Sequence, residues 1–103
     1  MITAIVQFPV PQPVSVETAR ELFVATAPRY RDVSGLVRKY YLLSEDGGTV
    51  GGVYLWRSRS DAERMYDPKW RSFIKERYGA EPTVKYFESP VIVDNVAGLI
   101  EAG

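Results

Sequence analysis

The sequence predicts an α+β domain of the ferredoxin-like kind, β-α-β-β-α-β, with a four-stranded antiparallel sheet and its helices on one face. Three observations predict it. Short β-branched and aromatic runs alternate with two stretches of helical period. An Asp46-Gly47 turn signal joins the two middle runs. The chain has 103 residues, enough for one core and too few for two.

Ile2 to Phe8 is apolar and β-branched on both parities, as in a strand covered on both faces. Pro9, Pro11 and Pro13 cannot donate to a ladder and make a stiff loop. Ser15 is an N-cap, and Ala19, Leu22, Phe23, Thr26, Ala27 and Tyr30 recur behind it at helical spacing. Pro28 ends that helix, which spans about 16–27 with a loose extra turn. Gly35 opens a strand from Leu36 to Ser44, and Thr49 to Arg57 returns. Ser60-Asp61-Ala62-Glu63 matches a capping box, and the helix after it buries Ala62, Met65 and Tyr66. The helix breaks near Asp67-Pro68 and restarts with Asp67 as cap and Pro68 at its first position. Trp70, Phe73, Ile74 and Tyr78 carry the stripe to Gly79, where a left-handed C-cap belongs. The last strand is Thr83 to Glu88, resumed at Val91–Val93 beyond Pro90, and residues 94–103 read as a tail that contacts a partner subunit.

Composition limits the function. Thirteen basic residues balance thirteen acidic ones, so the chain lacks the field that holds phosphates, which argues against nucleic acid and anionic membrane. There is no Cys and no His, which removes disulfides, thiolate zinc sites, imidazole-ligated haem or metal and every His-dependent nucleophile or base. No carboxylates show ligand spacing, so neither cofactor nor metal is expected. The apolar start is short, has no basic leader and runs into proline, so it is neither signal nor span, and a cytoplasmic protein is expected.

A two-residue turn at Asp46-Gly47 pairs positions summing to 93. Tyr40 then faces Val53, Arg38 faces Leu55 and Leu42 faces Gly51, while the other side pairs Val37 with Trp56, Lys39 with Tyr54, Leu43 with Val50 and Tyr41 with Gly52. Both sides are rich in large apolar groups. A bare apolar face invites aggregation; a second copy, sheet on sheet about a twofold axis, is the economical cover, and the carboxyl tail folding back over the face is the other reading. The run Gly47-Gly48-Thr49-Val50-Gly51-Gly52 lacks phosphate-loop spacing; its last two glycines relieve crowding or leave room for a ligand. A cation within a strand among rings, Lys39 beside Tyr41, Tyr54 and Trp56, must find an anion, a phenol oxygen, a π-face or a ligand.

Gly35–Tyr41, Gly51–Trp56 and Val84–Glu88 together resemble the YdhR-type monooxygenase family of the dimeric α/β-barrel superfamily. The resemblance implies a homodimer through the sheet face and a cofactor-independent oxygenase acting on a small aromatic or quinone-like compound with O2. Such an enzyme binds a flat ring, stabilises its oxyanion and excludes water. Lys39 and Tyr54 are the candidate catalytic residues, with Tyr41, Trp56, Arg38 and Tyr40 as candidate substrate-binding residues. A non-catalytic dimeric ligand-binding protein and an isomerase or lyase are the other readings of the same scaffold.

Overall fold

Alternation along each strand decides which side chains the helices cover. The computed structural model describes residues 1–103. In β1 (Ile2–Pro9) the even residues Ile2, Ala4, Val6 and Phe8 are buried, and in β3 (Thr49–Trp56) Val50, Tyr54 and Trp56 join them. With β2 (Leu36–Leu43) and β4 (Thr83–Glu88) they form an antiparallel sheet ordered β2-β3-β1-β4. The two hydrophobic middle strands are β1 and β3, and β2 and β4 are the edges. Helices α1 (Val16–Thr26), α2 (Arg59–Met65) and α3 (Pro68–Tyr78) cover one face, where Tyr30, Ala62, Tyr66, Trp70 and Ile74 complete the core. The ferredoxin-like expectation and the break at Asp67-Pro68 match this architecture.

Local chemistry sets the helix ends. The Ser15 hydroxyl accepts the Thr18 N–H at 3.1 Å, and Pro28 tightens the chain after Thr26 into a 3-10 turn, Ala27–Tyr30. The cap of α2 is Ser58, two residues before the expected Ser60. Its hydroxyl accepts the Asp61 N–H at 3.2 Å and donates to the Asp61 carboxylate at 2.8 Å. An earlier start places Asp61 where it can reciprocate, while Glu63 turns outward to Arg59 at 2.9 Å. Asp67 accepts the Trp70 N–H at 2.8 Å, and Gly79 closes α3 in the left-handed region (φ 80°).

The β2–β3 register holds from Arg38/Leu55 to Leu43/Val50. Its loop differs: Ser44 and Thr49 still pair, so four residues, Glu45 to Gly48, connect the strands. The sum of the paired positions is unchanged. Leu36 rather than Val37 faces Trp56, because a bulge inserts Val37 as an extra residue. The carboxyl end also departs from expectation. Val91–Asp94 (β5) leaves the main sheet beyond Pro90 and pairs with Leu99–Ala102 (β6), so the segment read as a tail is half of a hairpin. The Asp94 carboxylate accepts the N–H groups of Val96 and Ala97 at 3.0 and 3.1 Å and closes its turn. No helix is long and apolar enough to cross a membrane.

Candidate functional site

The bulge at Val37 and the alternation after it turn Lys39 and Tyr41 toward the helices, beside Tyr54 on the neighbouring strand. The Lys39 Nζ lies 3.3 Å from the ring centroid of Tyr30, 3.8 Å from that of Tyr41 and 4.6 Å from that of Tyr54. No carboxylate forms an ion pair with it. Desolvation therefore acts almost unopposed and lowers the Lys39 ammonium from 10.5 to about 6. Burial raises the phenols: Tyr41 to about 12, and Tyr54 far above its ordinary range. Burial thus favours the free amine of Lys39 and the protonated phenols of Tyr41 and Tyr54, and no carboxylate is ion-paired within the cluster.

Beside them is a cavity of about 20 Å³, lined by Lys39, Tyr41, Tyr54, Tyr30, Trp70 and apolar side chains, large enough for one water. Gly52 gives the Lys39 and Tyr54 side chains room, since a Cβ there would lie 3.2 Å from Lys39 Cε and 3.1 Å from Tyr54 Cε1. A cleft of about 660 Å³ between the 3-10 turn and the free edge of β2 also reaches Lys39, Tyr30 and Tyr41.

Hydrogen bonds fix the direction of two of the phenols. The Thr26 hydroxyl donates its one proton to the Phe23 carbonyl at 3.1 Å, so its 2.8 Å contact with Tyr41 is a bond that Tyr41 donates. Tyr41 therefore keeps only acceptor capacity for a ligand. Tyr30 is the reverse: its oxygen accepts the Trp70 indole N–H at 3.1 Å and its own proton stays available.

The structure thus brings together Lys39, Tyr41 and Tyr54 of the expected set. Trp56 is wholly buried one step away, parallel to Tyr54 (centroids 6.1 Å apart) with its indole donating to Tyr66 at 3.0 Å. Arg38 and Tyr40 lie on the opposite face, where Arg38 donates to the Tyr40 hydroxyl at 3.2 Å and sits 3.6 Å from Asp94. Sequence reasoning assigned Tyr30, Trp70 and Thr26 to helix packing and missed their place at the site. Helical period put Tyr30 and Thr26 on the inward face, but nothing in it could tell that β2 would lay a lysine against them. No group of three or more acidic, His or Cys side chains is placed to hold a metal.

No family model and no curated protein matches the chain. Solved structures do share its fold. It is similar to a monooxygenase from the gene ActVA-Orf6 of Streptomyces coelicolor, solved with nanaomycin D (23% identity, 85% of this chain and 86% of that one, TM-score 0.64). It is also similar to SnoaB, a cofactor-independent oxygenase from Streptomyces nogalater (16% identity, 85% and 91%, TM-score 0.62). An antibiotic biosynthesis monooxygenase matches at 13% identity over 86% and 98% of the two chains (TM-score 0.64). At such identities these matches establish a common fold.

Proposed function

We propose that this protein is a cofactor-independent monooxygenase that oxidises a small, flat phenolic or quinol-like aromatic with O2, working as a homodimer. The observation that carries the reading is the Lys39 amine, held against three phenol rings at the edge of a cleft with no carboxylate paired to it, where burial lowers its basicity. Tyr41 and Tyr54 stay protonated where Lys39 is neutral. No carboxylate of the chain is ion-paired with Lys39, so an ammonium formed there can pair with an anion brought by the ligand.

The amine takes the proton of a phenol or an enolisable ketone, leaving an oxyanion beside the new ammonium. The Tyr30 hydroxyl, free to donate, stabilises that charge, with the Tyr54 hydroxyl hydrogen-bonded to Tyr30 behind it. The electron-rich carbon gives an electron to O2, and the radical pair closes to a carbon–peroxide bond. The peroxide is protonated and loses water, leaving a new carbonyl. One oxygen atom enters the product, the other leaves as water, and the substrate supplies every electron. The named activities of the ActVA-Orf6 and SnoaB proteins, which share this fold, support the reading, as does the YdhR-type resemblance of β2 and β3, which supply Lys39, Tyr41 and Tyr54.

The homodimer reading rests on the face opposite the helices. Tyr40 and Phe87 are 54% and 49% exposed there, and Ile5, Leu42, Val53 and Leu55 are half-buried. Hairpin β5–β6 borders this face through the Arg38–Asp94 pair and a groove that β5 shares with Tyr40, Val53 and Leu55, and it leaves Tyr40 and Phe87 about half exposed. Half a standard interface, about 800 Å² per subunit, would gain roughly 20 kcal/mol before association costs.

Oxygen uptake with hydroquinones, anthrones and flavonoid-like phenols, without added flavin or metal, tests the reaction. Turnover that falls by about a hundredfold or more in Lys39→Met is expected. Binding of these compounds with no O2 consumed would leave a ligand-binding protein in place of an oxygenase.

A further inference from the structure

An amine so placed can do more than move a proton. A lysine nucleophile needs a free lone pair, a dry pocket, no carboxylate to hold it as ammonium, and a nearby acid for the departing oxygen. Lys39 satisfies the first three through its ring contacts, its lack of an ion pair and its apolar surroundings. The fourth is Tyr30, whose oxygen already accepts from Trp70 at 3.1 Å and whose proton points to no protein acceptor through a side-chain hydrogen bond. The Tyr30 ring is also the nearest of the three rings to the Lys39 Nζ, and both residues line the cleft that opens to solvent.

We propose that Lys39 is a Schiff-base lysine, whose amine condenses with the carbonyl of a small flat aromatic aldehyde or ketone admitted through the cleft, with Tyr30 as the proton donor. The Nζ lone pair forms a C–N bond as the carbonyl π pair moves to oxygen. That oxygen is protonated to a carbinolamine hydroxyl as the nitrogen loses a proton. The Tyr30 O–H then protonates the departing hydroxyl, the C–O bond breaks, and water leaves. Loss of the remaining N–H proton returns the phenol to its starting state. One amine and one carbonyl give one imine and one water, with no change of oxidation state. The depressed basicity of Lys39 favours this chemistry, because its neutral fraction at neutral pH exceeds that of an ordinary lysine by roughly a thousandfold.

The chain carries its own controls in Lys69, Lys75 and Lys85, all on exposed positions. The full-length protein is incubated anaerobically at neutral pH with salicylaldehyde and cyanoborohydride, and the reduced adducts are mapped by peptide mass. Labelling of Lys39 should be at least about tenfold faster than that of the other three lysines and should exceed that of the Met1 amine. Tyr30→Phe should slow labelling of Lys39 and leave the surface lysines unchanged. Labelling confined to Met1 and the surface lysines, or Lys39 reacting no faster than they do, overturns the proposal. The overturning results are read on the unmutated chain, so a variant that fails to fold does not blunt them. Oxygen is absent throughout, so failure here is distinct from failure of the oxygenase reading, which is read as O2 uptake.

Discussion

Lys39 stands in a place that few lysines tolerate, and its chemistry follows from what surrounds it. Rings can solvate an ammonium through their faces, but three phenols do not replace water. The native state therefore binds the proton less well than the unfolded chain, in which Lys39 titrates near 10.5. Between that value and about 6 the unfolded state holds the extra proton, so stability rises with pH across this window. The full penalty applies below about 6. Urea unfolding at successive pH values should show a slope of at most about 1.4 kcal/mol per pH unit above this point, and Lys39→Met should remove it. The same variant should be more stable than the parent at neutral pH, by on the order of 1–3 kcal/mol, while losing turnover. A lysine whose removal stabilises the fold and abolishes activity is there for function.

At the scale of elements, much was legible because local rules and packing agree. The Asp67-Pro68 start, the Gly79 stop and the β2–β3 register each rest on one residue type with one physical preference. Where two caps competed, period alone could not choose. Ser58 and Ser60 both stand at the start of α2, and the cap is the one whose partner three residues on is free to reciprocate. Ser58→Ala should cost about 1 kcal/mol in urea or thermal unfolding, and Ser60→Ala only a few tenths. The bulge at Val37 was illegible because it depends on how Gly35 leaves the loop and where Trp56 sits, which are long-range facts. The candidate site divides the same way. Lys39, Tyr41 and Tyr54 follow from strand alternation, whereas Tyr30 and Trp70 reach them only through packing of the turn after α1 and of α3 on the sheet.

The whole molecule presents one helix-covered face and one face of Tyr40, Leu42, Val53, Leu55 and Phe87 that this chain covers only in part. A twofold pairing through that face should give a sedimentation mass near twice the 11.6 kDa of the chain. Leu55→Lys should shift the species to a single chain at micromolar concentration, because it sets a charge in the centre of the contact. A mass of one chain for the unsubstituted protein would remove the dimer.

Hairpin β5–β6 consists of two strands of four residues each, with β6 exposed along its length. A ribbon that short is marginal alone in water. In the proposed dimer, with the hairpin against the partner copy, its backbone amides should exchange with deuterium quickly in dilute protein and slowly in concentrated protein, while those of β1 and β3 hold their protection at every dilution.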